Sequence, residues 1–285
     1  IRILHVLPWV LSGGVERRRL MLAEHLPSKS FRQSIFCLSA DSKLTERFEE
    51  FDVDVHVAAG LKWNQWGTFN HLRKVIRDFR PDIIHGAVFE GVQMAVIAGK
   101  AFGVEHIIIE ETSHATNRSR KGHLLFRLYA QLADRCVAIS PAVAKLLHHQ
   151  SHVPRTKIRT ILNGVPVPAE PAPERKRRLR QTYGLRDADF VLITVGRLVD
   201  DSQKRVSDVI RAVHRLREAG KRVKLLVVGD GRARQGLEAL SKSFKLGDAV
   251  IFTGYQDDVN PFYQASDAFV LASPREGFGL VVAEA

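Results

Sequence analysis

The chain has 285 residues, 45% hydrophobic and 26% charged, the balance of a globular protein with room for one large or two ordinary domains and a sizeable core. No apolar run reaches the roughly 18 residues that would span a bilayer, and the two cysteines, Cys37 and Cys136, exclude a disulfide framework. The formal net charge of +12 excludes an acidic, self-repelling chain and suits an anionic partner: a phosphorylated substrate, an acidic membrane surface or nucleic acid.

Taken in chain order, "IRILHVL" (1–7) reads as a buried first strand rather than a signal peptide, since no cleavage-site pattern follows it. With no initiator Met, residues before Ile1 are expected. A helix is expected over 14–26, then strands at 32–39 and 53–58. In "FNHLRKVIRDF" (69–79), Leu72, Val75, Ile76 and Phe79 fall at i, i+3, i+4 and i+7, one face of a helix. Strands follow at 81–86, 106–111 and 135–140, with helices at 91–103 and 141–150. Residues 163–178 are dense in Pro and read as a linker leading into a basic helix. The alternation then restarts, with strands at 190–196, 223–231, 249–254 and 268–273 and helices at 205–220, 233–244 and 259–266. Apolar strands alternating with helices argue parallel sheets covered on both faces. The expected fold is therefore α/β, with two Rossmann-like domains, 1–165 and 166–285, facing a cleft along their strand C-termini.

Four glycine-containing turns follow strands. In "WVLSGGVERR", Gly13 and Gly14 open a helix, where a backbone without Cβ admits a close ligand and free N–H groups favour an anion; a plain tight turn is the alternative. The dinucleotide fingerprint G-x-G-x-x-G is absent. In "VGRLVDDSQKR", Arg197 and Lys204 stand at a strand end, placed to clamp a diphosphate or simply to face solvent. "VVGDGRAR" reads as a tight strand-to-helix connection. The last, "SPREGFGLVVAEA", puts Glu276 before Gly277, Phe278, Gly279 and Leu280, the entry to a final helix that carries Glu284. Ionised carboxylates accept hydrogen bonds and match hydroxyl-rich ligands. The "VVA" before Glu284 makes that helix read as buried.

These motifs together resemble a GT-B-fold retaining glycosyltransferase of family 4, over nearly the whole chain: Gly13–Gly14 with Glu16, "NGV" at 163–165, Arg197 and Lys204, "VVGDG", "FTGY", and Glu276 and Glu284 seven residues apart. The resemblance implies that Glu276 contacts the donor sugar and Glu284 the nucleotide ribose. It implies that Gly277, Phe278, Gly279 and Leu280 hold the diphosphate, which Arg197 and Lys204 neutralise. A histidine near the donor sugar is best matched by His114, with His85 as competitor. Tyr255, in "TGYQDD", falls in the expected base pocket. The chain departs from the family pattern in two places. Arg205 follows Lys204 where a Lys-Gly pair is usual, and the sequence stops inside the Glu284 helix, so the second domain is expected to be truncated.

The implied reaction moves a sugar from a nucleotide-diphosphate sugar to a hydroxyl acceptor, a glycan or a lipid-linked one, with the anomeric configuration kept. No His/Cys cluster has metal-ligand spacing, so no metal and no cofactor beyond the donor are expected. Buried thiols fit a reducing compartment, hence the cytoplasm. The basic first domain, with Arg17–Arg19 and Arg118–Lys121, fits peripheral contact with the anionic inner face of a membrane. Two alternatives are a nucleotide-sugar epimerase on the same architecture and a non-enzymatic nucleic-acid-binding protein. Against the second, no aromatics interleave with the basic clusters, and no nucleic-acid partner is expected.

Overall fold

The computed structural model describes all residues except 12, 114–117, 168–172 and 200, with Asp201 and Ser202 described by backbone alone. The chain divides into two compact units, Ile1–Gly164 and Val165–Ala285.

The first unit carries β1 (Arg2–Val6), β2 (Trp9–Val10), β3 (Arg32–Cys37), β4 (Ser39–Ala40), β5 (Asp54–Val57), β6 (Ile83–Ala87), β7 (His106–Glu111), β8 (Arg135–Ala138) and β9 (Ile158–Thr160). Seven of these form one parallel sheet in the order β5-β3-β1-β6-β7-β8-β9, while β2 and β4 pair separately beyond the ends of β1 and β3. Leu4, Val6, Ile35, Phe36, Ile84, Ile107 and Ile109 are buried on strands covered from both sides, which explains their unbroken apolar runs. The order reverses direction between β1 and β6. At that point neighbouring strands send their chains to opposite faces, and a crevice opens at their carboxyl ends.

The second unit carries β10 (Phe190–Val195), β11 (Val223–Val228), β12 (Val250–Gly254) and β13 (Ala268–Phe269), parallel in the order β12-β11-β10-β13. Its reversal lies between β10 and β13. Val206, Val209, Ile210 and Val213, at helical spacing on Val206–Glu218, pack on Val223, Leu225 and Val227 to form one core face. The Gly-Asp-Gly turn after β11 is stitched to the loop after β10: the Gly196 N–H donates to Val228, the Leu198 N–H to Asp230 and the Ala233 N–H to Leu198. A Cβ on Gly229 would lie 2.0 Å from the Gly196 carbonyl oxygen, so only glycine allows this approach.

The structure differs from the sequence reading in several elements: β2, β4 and β9 carry no sequence assignment of their own, and β13 is shorter than the strand expected at 268–273. Pro173–Thr182 is already helical, so the basic helix begins inside the stretch read as linker. Helices Ser42–Glu49 and Arg120–Leu132 carry no sequence assignment. The second of these buries Phe126 and Ala130 yet turns four leucines outward, so its apolar pattern does not mark its buried face.

Candidate active site

In the second unit, the loops after β10 and β13 leave the same edge of the sheet on adjacent strands. The first supplies Arg197 and Lys204, the second Glu276. Lys204 Nζ donates to Glu276 Oε1 at 2.7 Å, although 72 residues separate them. Both side chains are about one-quarter exposed. The Lys204 stem lies over Gly196, whose added Cβ would sit 3.5 Å from the Lys204 Cε. Thr194, Val195, Leu198 and Leu271 line the hollow beneath it. Arg197 is exposed and makes no side-chain ion pair among the described residues. It stands on the same loop as Lys204.

Arg205, where the family pattern has glycine, adopts φ +51 and ψ 40 and caps the helix Val206–Glu218. The left-handed conformation that glycine would supply is kept by an arginine, which also pairs with Asp208.

The final helix is Leu280–Glu284, entered through Gly279 at φ +80. Gly277, Phe278 and Leu280 are half-buried around it. The Tyr263 hydroxyl lies 3.4 Å from Glu284 Oε2 and 3.3 Å from the Val281 carbonyl. The helix is not buried as its sequence implied: Val282 is 54% exposed and no residue of the helix is fully buried. With so little of the helix packed, burial does not select the face that Glu284 takes. Tyr255 is 57% exposed just after β12. Beside that turn, Arg234 bridges Asp230 and Glu238, each at 2.8 Å.

In the first unit, Gly13 caps the helix Gly14–His25 at the carboxyl end of β1. Buried Glu16 accepts from the Leu11 N–H at 3.5 Å, two residues before the Gly13 cap, and so ties the loop to the first turn of the helix. Val88, just past β6, has φ +62, a rare strain for a β-branched residue, and it lies at the reversal of strand order. His114 lies outside the described residues.

His85 does not stand open as a sugar contact. It is packed in a buried cluster that sequence reasoning missed. Glu110 Oε2 accepts from Arg19 at 2.6 Å and lies 3.3 Å from His85 Nε2; Glu110 Oε1 accepts from Arg18. The His5 ring stands 5.4 Å from that of His85 and bonds Gln33 at 3.2 Å. Burial alone would raise the Glu110 carboxyl, but Arg19, the His85 hydrogen bond and Arg18 hold it well below the usual carboxylate range. Burial, then Arg19, depresses both His85 and His5, so both rings are neutral at pH 7. The available signal was the pair of acids closing the apolar strand "HIIIEE", which marks carboxylates that need buried partners.

The basic surface expected from Arg17–Arg19 and Arg118–Lys121 is corrected at three of its residues, while Arg120 and Lys121 are exposed. Arg18 and Arg19 turn inward to Glu110, and Arg118 pairs with Glu111 at 2.5 Å under the Phe126 ring. A charge repeat on a helix does not distinguish a solvated face from one that meets buried acids. Among the described residues, no group of three or more His, Cys, Asp and Glu is placed to hold a metal ion.

The profile of the family described as Glycosyltransferase Family 4 matches residues 12–167, and that of Glycosyl transferases group 1 matches residues 175–285. The chain belongs to glycosyltransferase family 4. Its fold is GT-B, two Rossmann-like α/β domains with parallel sheets. Among curated relatives, the lipopolysaccharide core biosynthesis glycosyltransferase LpsD of Rhizobium meliloti is 30% identical over 226 residues, 79% of this chain and 56% of that protein. The N-acetyl-alpha-D-glucosaminyl L-malate synthase of Bacillus anthracis is 30% identical over 213 residues, 71% of this chain and 52% of that protein. The family 4 chain thus spans about half the length of these relatives. Anabaena HepE, solved with UDP and glucose, superposes with a TM-score of 0.84 at 19% identity, covering 99% of this chain and 77% of its own. WaaG, a glycosyltransferase involved in lipopolysaccharide biosynthesis, gives 0.73 at 16%, covering 99% and 78%.

Proposed function

We propose that the protein transfers a sugar from a nucleotide-diphosphate sugar to a hydroxyl acceptor, a glycan or a lipid-linked one, with retention of the anomeric configuration. The observation that carries this reading is the Lys204–Glu276 pair at the carboxyl edge of the second sheet. An ammonium that neutralises phosphate oxygens and a carboxylate that accepts from sugar hydroxyls occupy neighbouring points there. HepE, solved with UDP-glucose, offers the analogous donor chemistry.

As the anomeric C–O bond breaks, positive charge develops on the sugar ring and negative charge on the departing diphosphate. Lys204 and Arg197 answer the second charge. The N–H groups at Gly279 and Leu280 add backbone donors. Glu276 orients the sugar, Glu284 the ribose, and Tyr255 flanks the base. Within the first unit, Gly13 and Gly14 offer backbone N–H groups at the start of the helix Gly14–His25, and the family resemblance assigns His114 to the sugar. With the charge met by side chains, the transfer needs neither metal nor separate cofactor. The acceptor's place at an anionic membrane, on the cytoplasmic side, completes the reading.

The test is a thermal-shift panel of nucleotide sugars on the full-length protein, followed by turnover with the best donor and anomeric analysis of the product. A donor that stabilises the parent but not Lys204→Ala supports the site, and turnover unchanged by EDTA supports the metal-free chemistry. Absence of any nucleotide-sugar stabilisation, or an inverted product, overturns the reading.

A further inference from the structure

Helix Arg120–Leu132 exposes Leu124, Leu125, Leu128 and Leu132 at 57%, 42%, 46% and 49%. At 100° per residue these four fall within one outward arc, opposite buried Phe126 and Ala130. Exposed Arg120 and Arg127 border one side of the arc, and exposed Lys121 stands at its amino end. The helix contains no Asp or Glu. Single exposed leucines are ordinary, but four side by side on one helix are an apolar patch that calls for a partner.

The charge around the patch chooses the partner. Residues 1–117 carry fourteen Lys and Arg against fourteen Asp and Glu. Residues 118–164 carry nine against one, Asp134. The entire positive excess of the first unit therefore sits in the segment that holds this helix. Lys157 joins it directly, donating to the Gln131 and Ala133 carbonyls at 2.6 Å at the carboxyl end of the helix. An outward leucine stripe bordered by cations matches the acyl and phosphate layers of an anionic bilayer. A nucleic acid would answer the cations but leave the leucines wet, and this helix offers no aromatic platform on its outer face.

We propose that the leucine face of Arg120–Leu132 lies in the interface of an anionic membrane, with Arg120, Lys121 and Arg127 on headgroup phosphates. This rests on the membrane-side acceptor reading for its purpose, but it is measured without turnover. The helix lies in the surface plane. Leucines enter the acyl boundary, and the cations stay at phosphate depth.

The experiment is co-sedimentation of the full-length protein with phosphatidylcholine vesicles containing zero to 40% phosphatidylglycerol (about 40% giving a strongly anionic surface). It is repeated with Leu124→Glu/Leu128→Glu and with Arg120→Glu/Arg127→Glu. The parent is expected to bind in proportion to phosphatidylglycerol, and each double variant to lose about tenfold in affinity or more. All four substituted side chains are exposed, so unchanged melting and an unchanged nucleotide-sugar thermal shift are expected alongside. Loss of the vesicle signal with the donor shift intact keeps the two readings separate. A parent indifferent to phosphatidylglycerol overturns the proposal, as do variants that pellet like the parent. So does a parent dimer that the leucine variant converts to monomer with vesicle binding retained, since the face is then covered by a second copy.

Discussion

Lys204 Nζ and Glu276 Oε1 stand 2.7 Å apart, joined across 72 residues by two adjacent parallel strands. The cation assigned to the diphosphate is thus paired with the carboxylate assigned to the sugar. A donor entering here inserts its own phosphate and hydroxyls into an existing pair. In the proposed complex Lys204 exchanges Glu276 for phosphate oxygens, and Glu276 exchanges Lys204 for sugar hydroxyls that donate to it.

Lys204→Ala and Arg197→Ala in the full-length protein are expected to lower kcat by ~10²–10³, the usual cost of removing one well-placed charge stabiliser. Arg197→Ala should hardly move melting, because that side chain is exposed, whereas Lys204→Ala leaves the largely buried Glu276 carboxylate without its partner and should lower it. Steady-state kinetics beside calorimetry reads both; parent-like turnover in either variant removes that residue from the clamp.

Arg205 holds φ +51 at the start of Val206–Glu218. A β-branched side chain resists this conformation, whereas glycine adopts it freely. Arg205→Gly should therefore be more stable than Arg205→Val by about 1–2 kcal/mol in urea denaturation. Equal midpoints for the two variants would mean that the loop does not demand the left-handed conformation.

The Glu110 cluster predicts acid sensitivity. His5 and His85 are depressed below the ordinary imidazole value of 6.5, and Glu110 below the ordinary carboxyl value of 4.5. Below each ordinary value the unfolded chain binds more protons than the folded one. The stability tied to these groups is therefore complete above pH 6.5, falls as the solution is acidified through it, and falls again below 4.5. Glu110→Gln leaves Arg19 buried without its counter-charge and should cost about 3–5 kcal/mol. Urea midpoints measured against pH for parent and variant test both, and the variant should lack the lower-pH step. A parent midpoint flat from pH 7 to 4 contradicts the assignment.

Both thiols should be silent in the native protein. Burial pushes Cys37 up to about 12 and raises Cys136 as well. Ellman's reagent at pH 8 is expected to label neither, and to label both once guanidinium is added. Rapid labelling of native protein would show that one of the strands carrying them, β3 or β8, opens.

Much of this was legible in the residues. The apolar runs that became β1, β3, β10 and β11, and the turns that end them, follow from local rules: a strand buried on both faces must be apolar throughout, and a chain leaving it for a helix must turn sharply. Helix Arg120–Leu132 was not legible, because its leucines face away from the core and so mark the wrong side. Nor could inspection of Arg17–Arg19 show that Arg18 and Arg19 turn to Glu110.

By itself, then, the sequence determined the alternation of strand and helix and the two-domain α/β organisation, since each rests on periodicity along the chain, while its motifs carried the resemblance to the family. Only the tertiary structure decided which charges meet. Ion pairs such as Lys204 with Glu276 and Arg19 with Glu110 depend on which strands become neighbours and which helix face turns inward. Those choices are made by packing between segments distant in the chain, and no local pattern records them.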